Sequence, residues 1–223
     1  MKNKLTQHSF KKIFVFHILC FLMVFAPLKT FAVYGLSETA DIIPAGHYRF
    51  GASPQMYLGN GGGADAAAYL DMNLGADLNA RAEVGSGSTD FWGGGSVKWS
   101  PYPDYENQPA IAFRGKVFYM RDSDINLYNF QAAAIISKKY ETAEGVFVPF
   151  AGIPLTYVYE KNSNTFTVSR LCFGSEWIVT PDFQAGTELG IDLSSRGSNF
   201  SSTATTLALY FNFQFDEKIG FKK

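Results

Sequence analysis

From residue 45 to residue 215 the chain alternates apolar and polar side chains with a period of two, in stretches of about 10 to 15 residues broken by Gly, Pro, Asn, Asp and Ser. The final stretch shows it most cleanly. Leu207, Leu209, Phe211, Phe213 and Phe215 fall on one face, and Thr206, Ala208, Tyr210, Asn212 and Gln214 on the other. Since successive side chains of a strand point to opposite sides, each stretch predicts a strand with one greasy and one mixed surface. The same parity sets Tyr48, Phe50 and Ala52 against His47, Arg49 and Ser53, and Ala66, Ala68 and Leu70 against Asp65, Tyr69 and Asp71. It sets Ala80, Ala82 and Val84 against Asn79, Arg81 and Glu83, and Val97 and Trp99 against Ser96 and Lys98. Later stretches repeat it: Phe113 and Val117 opposite Arg114 and Lys116, Tyr128 and Phe130 opposite Asn129 and Gln131, and Leu171 and Phe173 opposite Arg170. Only the stretch 146–159 is apolar on both sides, so its sidedness is left open. The count is ten strands, with eight as the alternative.

Strands of this length cross a bilayer when tilted, and an even number brings both chain ends to one side. The connections divide accordingly. Residues 75–77 and 180–182 read as tight turns, and 59–63, 121–124, 161–165 and 194–202 as polar loops at the opposite end. The link 100–109, rich in Pro and Tyr, falls on the tight-turn side but is longer than a turn. The architecture expected is therefore all-β: a closed antiparallel up-and-down transmembrane barrel. A soluble β-sandwich also alternates and is the competing fold.

The N-terminus has a different character. Lys2, Lys4, Lys11 and Lys12 precede an apolar run, 13–28, that ends at Thr30-Phe31-Ala32. A basic start, a short apolar run and a small residue at the end are the parts of a secretory signal peptide, with cleavage expected after Ala32. His17 and Pro27 interrupt the run, which is shorter than a spanning helix needs. Leu19 before Cys20 argues against lipidation. Residues 1–32 thus read as a signal peptide, and 33–223 as one barrel domain.

Taking away residues 1–32 removes five lysines and no acid, so of 19 basic and 20 acidic residues 14 and 20 stay, a formal net of −6. Nucleic acid, which is bound through clustered positive charge, is not expected as a partner. One cysteine is left, Cys172, so no disulfide framework is expected, and it reads as a small apolar filler. The 21 Phe and 12 Tyr are many for this length, and Tyr57, Trp99, Tyr102, Tyr119, Trp177 and Phe183 lie near expected strand ends, where an interfacial aromatic girdle would sit.

With alternation, closing strand and export signal together, the chain resembles the small outer-membrane β-barrels of the OmpA-type and opacity-type families. The resemblance rests on residues 207–215 and on the repeated alternation. It implies an outer-membrane address in a Gram-negative-type bacterium, contact with outer-membrane lipid, and insertion by the barrel-assembly machinery, with Leu209, Phe211, Phe213 and Phe215 as the assembly signal. In the family such a strand ends the chain on an aromatic, whereas here residues 216–223 follow.

The mixed face places twelve charges toward the interior: Arg49, Arg81, Lys98, Arg114, Lys116 and Arg170, against Asp65, Asp71, Glu83, Glu176, Glu188 and Asp192. The two sets balance. In a barrel of eight to ten strands side chains can fill the interior, and buried charges must pair. The lumen is therefore expected to be a salt-bridged, largely plugged polar core with a structural or surface-interaction role. A narrow passive pore for small solutes is the first alternative, and a surface enzyme acting on lipid or peptide the second. Catalysis is not expected, because the only histidine after residue 32, His47, lies at the rim of the first strand. One His and one Cys do not make a zinc site, and the glycine clusters at 59–63, 85–87 and 93–95 lack the lysine and helix of a phosphate loop, so no metal and no cofactor are expected.

Overall fold

Hydrogen bonding between the sixth and eighth strands closes the sheet on itself. The computed structural model describes residues 34–58, 62–160, 165–194 and 205–216. Its strands are β1 (His47–Leu58), β2 (Ala64–Gly75), β3 (Leu78–Gly87), β4 (Phe91–Tyr102), β5 (Ala110–Asp122), β6 (Ile125–Ser137), β7 (Tyr140–Thr142), β8 (Gly145–Glu160), β9 (Thr165–Thr180), β10 (Phe183–Asp192) and β11 (Thr205–Asp216). Every pairing is antiparallel between neighbours in the chain, save that β1 meets β11 and β6 meets β8. Ten strands form the barrel. The eleventh, β7, is a three-residue hairpin arm that pairs only with the start of β8 and stands outside the ring. Closure removes the sandwich as an option, since a sandwich keeps two sheets with separate edges.

Parity decides which residues face in. Along β5, Ala110, Ala112, Arg114, Lys116, Phe118, Met120 and Asp122 are buried while the residues between them are exposed or half-exposed. On β1 the same rule buries Arg49, Gly51 and Ser53 and leaves Phe50 and Ala52 outside. Strand β8, unassigned from its sequence, proves regular: Val148, Phe150, Gly152, Pro154, Thr156 and Val158 point inward, Ile153, Leu155, Tyr157 and Tyr159 outward. Its inner face is apolar except for Thr156.

The connections sort to two ends. One end carries the two-residue turns 76–77 and 181–182, the link 103–109 and the β7 hairpin. Here the link is fastened by side chains: Lys138 Nζ reaches Asp104 Oδ1 at 2.5 Å and donates to the Glu106 and Gln108 carbonyls, and the Lys139 amide donates to Asp104 Oδ2 at 2.7 Å. Burial alone would raise the Asp104 pKa, but the Lys138 ammonium and the Lys139 N–H outweigh it and hold the carboxyl below its ordinary value. The other end carries the loops between β1 and β2, β3 and β4, β5 and β6, β8 and β9, and β10 and β11. The signal segment 1–32, most of the loops 59–63, 161–165 and 194–202, and all but the first residue of the tail 216–223 lie outside the described residues.

Large side chains sit on glycines where ring and strand meet. Tyr210 lies across Gly186, its partner in register, where a Cβ would fall 2.1 Å from the ring, and Tyr69 covers Gly51 in the same way. A ring folded over a neighbouring glycine keeps an inward aromatic flat against the wall.

Candidate functional site

Residues 34–46 belong to no strand, yet they run through the interior of the barrel. Tyr34, Leu36, Glu38, Thr39, Ala40 and Ile43 are buried. Their contacts come from inward-facing residues all round the ring: Ser53 on β1, Arg81 on β3, Lys98 on β4, Arg114 on β5, Gln131 and Ser137 on β6, and Glu188 on β10. The segment enters from the short-turn end through the exposed stretch 44–46. Asn73 Nδ2 donates to the Ile43 carbonyl there at 2.7 Å, and Lys139 pairs with Asp41 at 3.1 Å. Tyr34 lies deepest, toward the loop end, packed among Trp92, Phe118, Met120, Leu127, Val158 and Val168. Leu36 sits lower, among Ala112, Ala133, Ile135 and Cys172, and over Gly152, where a Cβ would come within 2.6 Å of Leu36 Cδ1.

Glu38 is the electrostatic centre. Its carboxylate lies 2.8 Å from Arg114 Nη1, 3.0 Å from Lys98 Nζ and 4.0 Å from Arg81 Nη2. A second group links three wall residues toward the short-turn end. Asp71 accepts from Arg49 Nε at 2.9 Å and from Arg81 Nε at 2.5 Å, and Arg81 also lies 4.0 Å over the Tyr69 ring. Arg49 goes on to Gln184 at 3.2 Å, and Asn212 donates to Glu176 at 3.2 Å while accepting from Tyr69 OH at 2.6 Å. Higher in the barrel Lys116 pairs with Glu83 and lies over the Trp92 and Phe118 rings.

The twelve charges singled out from the sequence fall on the inward parity positions, ten of them fully buried and Glu83 and Asp192 half-buried. They do not all pair with one another. Asp71 and Glu83 take wall cations. Lys98 and Arg114 take Glu38, which alternation could not reveal because it precedes the first strand. Glu188 accepts the main-chain N–H groups of Leu36 and Ser37 at 2.6–3.1 Å. Asp65 accepts from the Tyr57 hydroxyl and from Thr89, Arg170 donates to Thr206 Oγ1 at 3.2 Å, and Asp192 accepts from the Ser194 amide at 2.6 Å. The signal that could have found the segment is its length: fourteen residues between Ala32 and β1, carrying Tyr34, Leu36, Ile42 and Ile43, are more than a turn needs.

Tyr57 departs from the expected girdle. It is buried in the lumen against Asp65, because position 57 shares the parity of Arg49 and Ser53; nearness to a strand end does not select the outer face. Trp99, Tyr102 and Trp177 are exposed on the outside, with Tyr119 and Phe183 half-exposed. Some of the exterior rings pair in two bands, one toward each end. Tyr48 with Phe215, Trp99 with Phe113 and Phe183 with Phe213 lie 5.0–6.1 Å apart at the short-turn end, and Tyr119, Tyr128 and Tyr159 follow one another at 5.5 and 6.3 Å toward the loop end. The four assembly residues Leu209, Phe211, Phe213 and Phe215 share the outer face of β11. His47 is half-buried at the rim, its Nδ1 3.1 Å from the Ala45 carbonyl. Among the described residues no three His, Cys, Asp or Glu side chains converge as a metal site would require.

No protein-family model matches the chain, and no curated protein matches its sequence. Solved structures of similar shape do exist. The N-terminal β-barrel domain of Pseudomonas aeruginosa OprF is 12% identical, with 77% of this chain and 98% of that one covered and a TM-score of 0.39. The β domain of the Bordetella autotransporter BrkA is 10% identical over 76% and 99%, with a TM-score of 0.49. The COG4313 outer membrane channel from Pseudomonas putida F1 is 12% identical over 82% and 98%, with a TM-score of 0.48.

Proposed function

We propose that this chain is an outer-membrane β-barrel whose lumen is stoppered by its own residues 34–46 and by paired charges, and that it serves as a structural or surface-interaction component of that membrane. The observation that carries this reading is an inversion. Phe50, Val97, Phe113, Val117, Phe130, Ile153, Leu155 and Phe213 are exposed on the exterior, while Arg49, Asp71, Arg81, Lys98, Arg114 and Glu176 are buried within. Water would penalise that arrangement on the outside, whereas hydrocarbon rewards it. A strand of 12 residues at ~3.3 Å per residue, tilted by ~40°, rises about 30 Å, the thickness of a bilayer core. The two aromatic bands sit where headgroups would lie.

Export through residues 1–32 and insertion by the barrel-assembly machinery, which would read the outer face of β11, complete the proposal. The finer affinity, to OmpA-type and opacity-type barrels, rests on the closing strand and the alternation. The role is non-enzymatic in this reading, since the polar groups of the lumen are engaged in holding one another and the inner segment.

The experiment is fractionation with a mobility assay. The mature chain is expected to stay with membranes through an alkaline wash, to need detergent for extraction, and to run at different positions on SDS gels with and without boiling. Purified into planar bilayers, it is expected to give no steady conductance steps. A chain released by osmotic shock, with no heat-dependent shift, overturns the membrane reading; steady reproducible steps from the intact chain would instead establish the narrow pore.

A further inference from the structure

The way the wall holds the inner segment is unlike the way the barrel holds itself together. Strands bond backbone to backbone, whereas here wall side chains serve the segment's main chain. Gln131 donates to the Tyr34 carbonyl at 3.3 Å, Arg114 to those of Gly35 and Leu36 at 3.1 and 3.0 Å, Arg81 to that of Ser37 at 3.5 Å, and Lys98 to that of Thr39 at 2.8 Å. Glu188 and Ser137 accept the N–H groups of Leu36, Ser37 and Ala40. A peptide main chain presents these donors and acceptors whatever its sequence, so such a wall recognises a peptide as such.

Sequence preference is added at four positions. An aromatic pocket takes Tyr34, and a small apolar one takes Leu36. Between them, Gly35 lies so close to Glu188 that a Cβ would fall 2.7 Å from Oε1. The Arg114 and Lys98 cations receive the Glu38 carboxylate. Nothing but the exposed stretch 44–46 ties the segment covalently to β1.

We propose that the lumen is a peptide-binding channel for chains of the pattern aromatic, Gly, apolar, small, Glu, and that residues 34–45 are its resident occupant, exchangeable for another peptide of that chemistry. This rests on the reading of the barrel as membrane-embedded with its lumen stoppered, and it adds that the stopper is a ligand.

The test uses the full mature chain with a site-specific protease sequence inserted between Ala45 and Gly46, folded in detergent and cut afterwards. After the cut the freed segment is expected to stay with the barrel through gel filtration. A fluorescein-labelled synthetic peptide of sequence 34–45 is then expected to replace it saturably, with unlabelled peptide competing. A peptide carrying Glu38→Lys is expected to bind more than about tenfold more weakly, since it sets a fourth cation beside the three buried ones, Arg81, Lys98 and Arg114. One carrying Gly35→Val is expected to bind more weakly, since its side chain must push aside the Glu188 carboxylate that accepts the Leu36 and Ser37 N–H groups. The proposal is overturned if the cut barrel loses its segment and takes up no labelled peptide at about 1 mM, a bound that corresponds to negligible affinity, or if the Glu38→Lys peptide binds as well as the native one. Gel mobility before and after boiling is read on the same sample. A retained heat shift with no peptide uptake sinks the channel alone, and a lost shift in the uncut chain sinks the barrel reading.

Discussion

Arg114 on the fifth strand and Glu38 on the inner segment meet at 2.8 Å in the middle of the barrel, joining a wall residue to one that precedes every strand. Lys98 approaches the same carboxylate from the adjacent strand. The pairing means that the charge state of the wall is completed only when the segment is in place.

Replacing Glu38 by Gln leaves the Lys98 and Arg114 charges buried with their shared partner gone. Breaking a buried pair in this way costs about 3–5 kcal/mol. The urea midpoint for unfolding in phospholipid vesicles should fall accordingly. Adding Lys98→Met to Glu38→Gln should recover part of the loss, since it removes one of the stranded cations; strict additivity of the two changes would mean that the ion pair does not anchor the segment.

Gly186→Ala is expected to destabilise the barrel by about 1–3 kcal/mol, because the new methyl falls where the Tyr210 ring lies. In a Tyr210→Leu background the same change should cost little, and a double-mutant cycle on chemical unfolding measures the difference.

Tryptophan quenching separates the two faces. In variants retaining a single Trp, brominated lipid chains should quench Trp99 and Trp177, which are 50% and 43% exposed, and leave Trp92, 2% exposed, nearly untouched. Equal quenching of all three would contradict the placement of lipid outside and the lumen within.

Phe130 lies midway along the sixth strand on the outer face. Phe130→Arg should lower stability in vesicles by about 2–4 kcal/mol, the cost of a cation at the bilayer midplane. At Gln131, one position on, an added Arg would face the lumen beside Arg114, so its penalty should depend on charge there and be relieved by Arg114→Gln.

The link between Asp104 and Lys138 should respond to acid. Because the Asp104 carboxyl is held below its ordinary value in the folded protein, the contact stabilises fully above that value and is lost as pH falls through the lower, folded one. Amide hydrogen exchange at Lys139, whose N–H the carboxylate accepts, should quicken below about pH 4 and become insensitive to pH-dependent opening in Asp104→Asn. Exchange that shows no such change would mean the contact does not hold the link in solution.

Alternation along the chain was enough to predict an all-β protein of ten strands, with eight as the alternative, and to separate the two faces of nearly every strand, because a period of two admits just two registers; that the face carrying Arg49, Lys98 and Arg114 lines an interior was decided by closure of the ring. Position along a strand was a poorer guide than parity, as Tyr57 shows. Strand β8 was undecidable on its own, since residues greasy on both sides satisfy either register; its neighbours β6 and β9 settled it by fixing the hydrogen-bond ladder. What only the tertiary structure decided is who meets whom across the lumen. Residues 34–46 carry no periodic signal, for a chain held by the side chains of several strands need not repeat as a strand does. Glu38 becomes the partner of Lys98 and Arg114 only because the closed ring brings a segment and a wall, far apart in sequence, to one small interior.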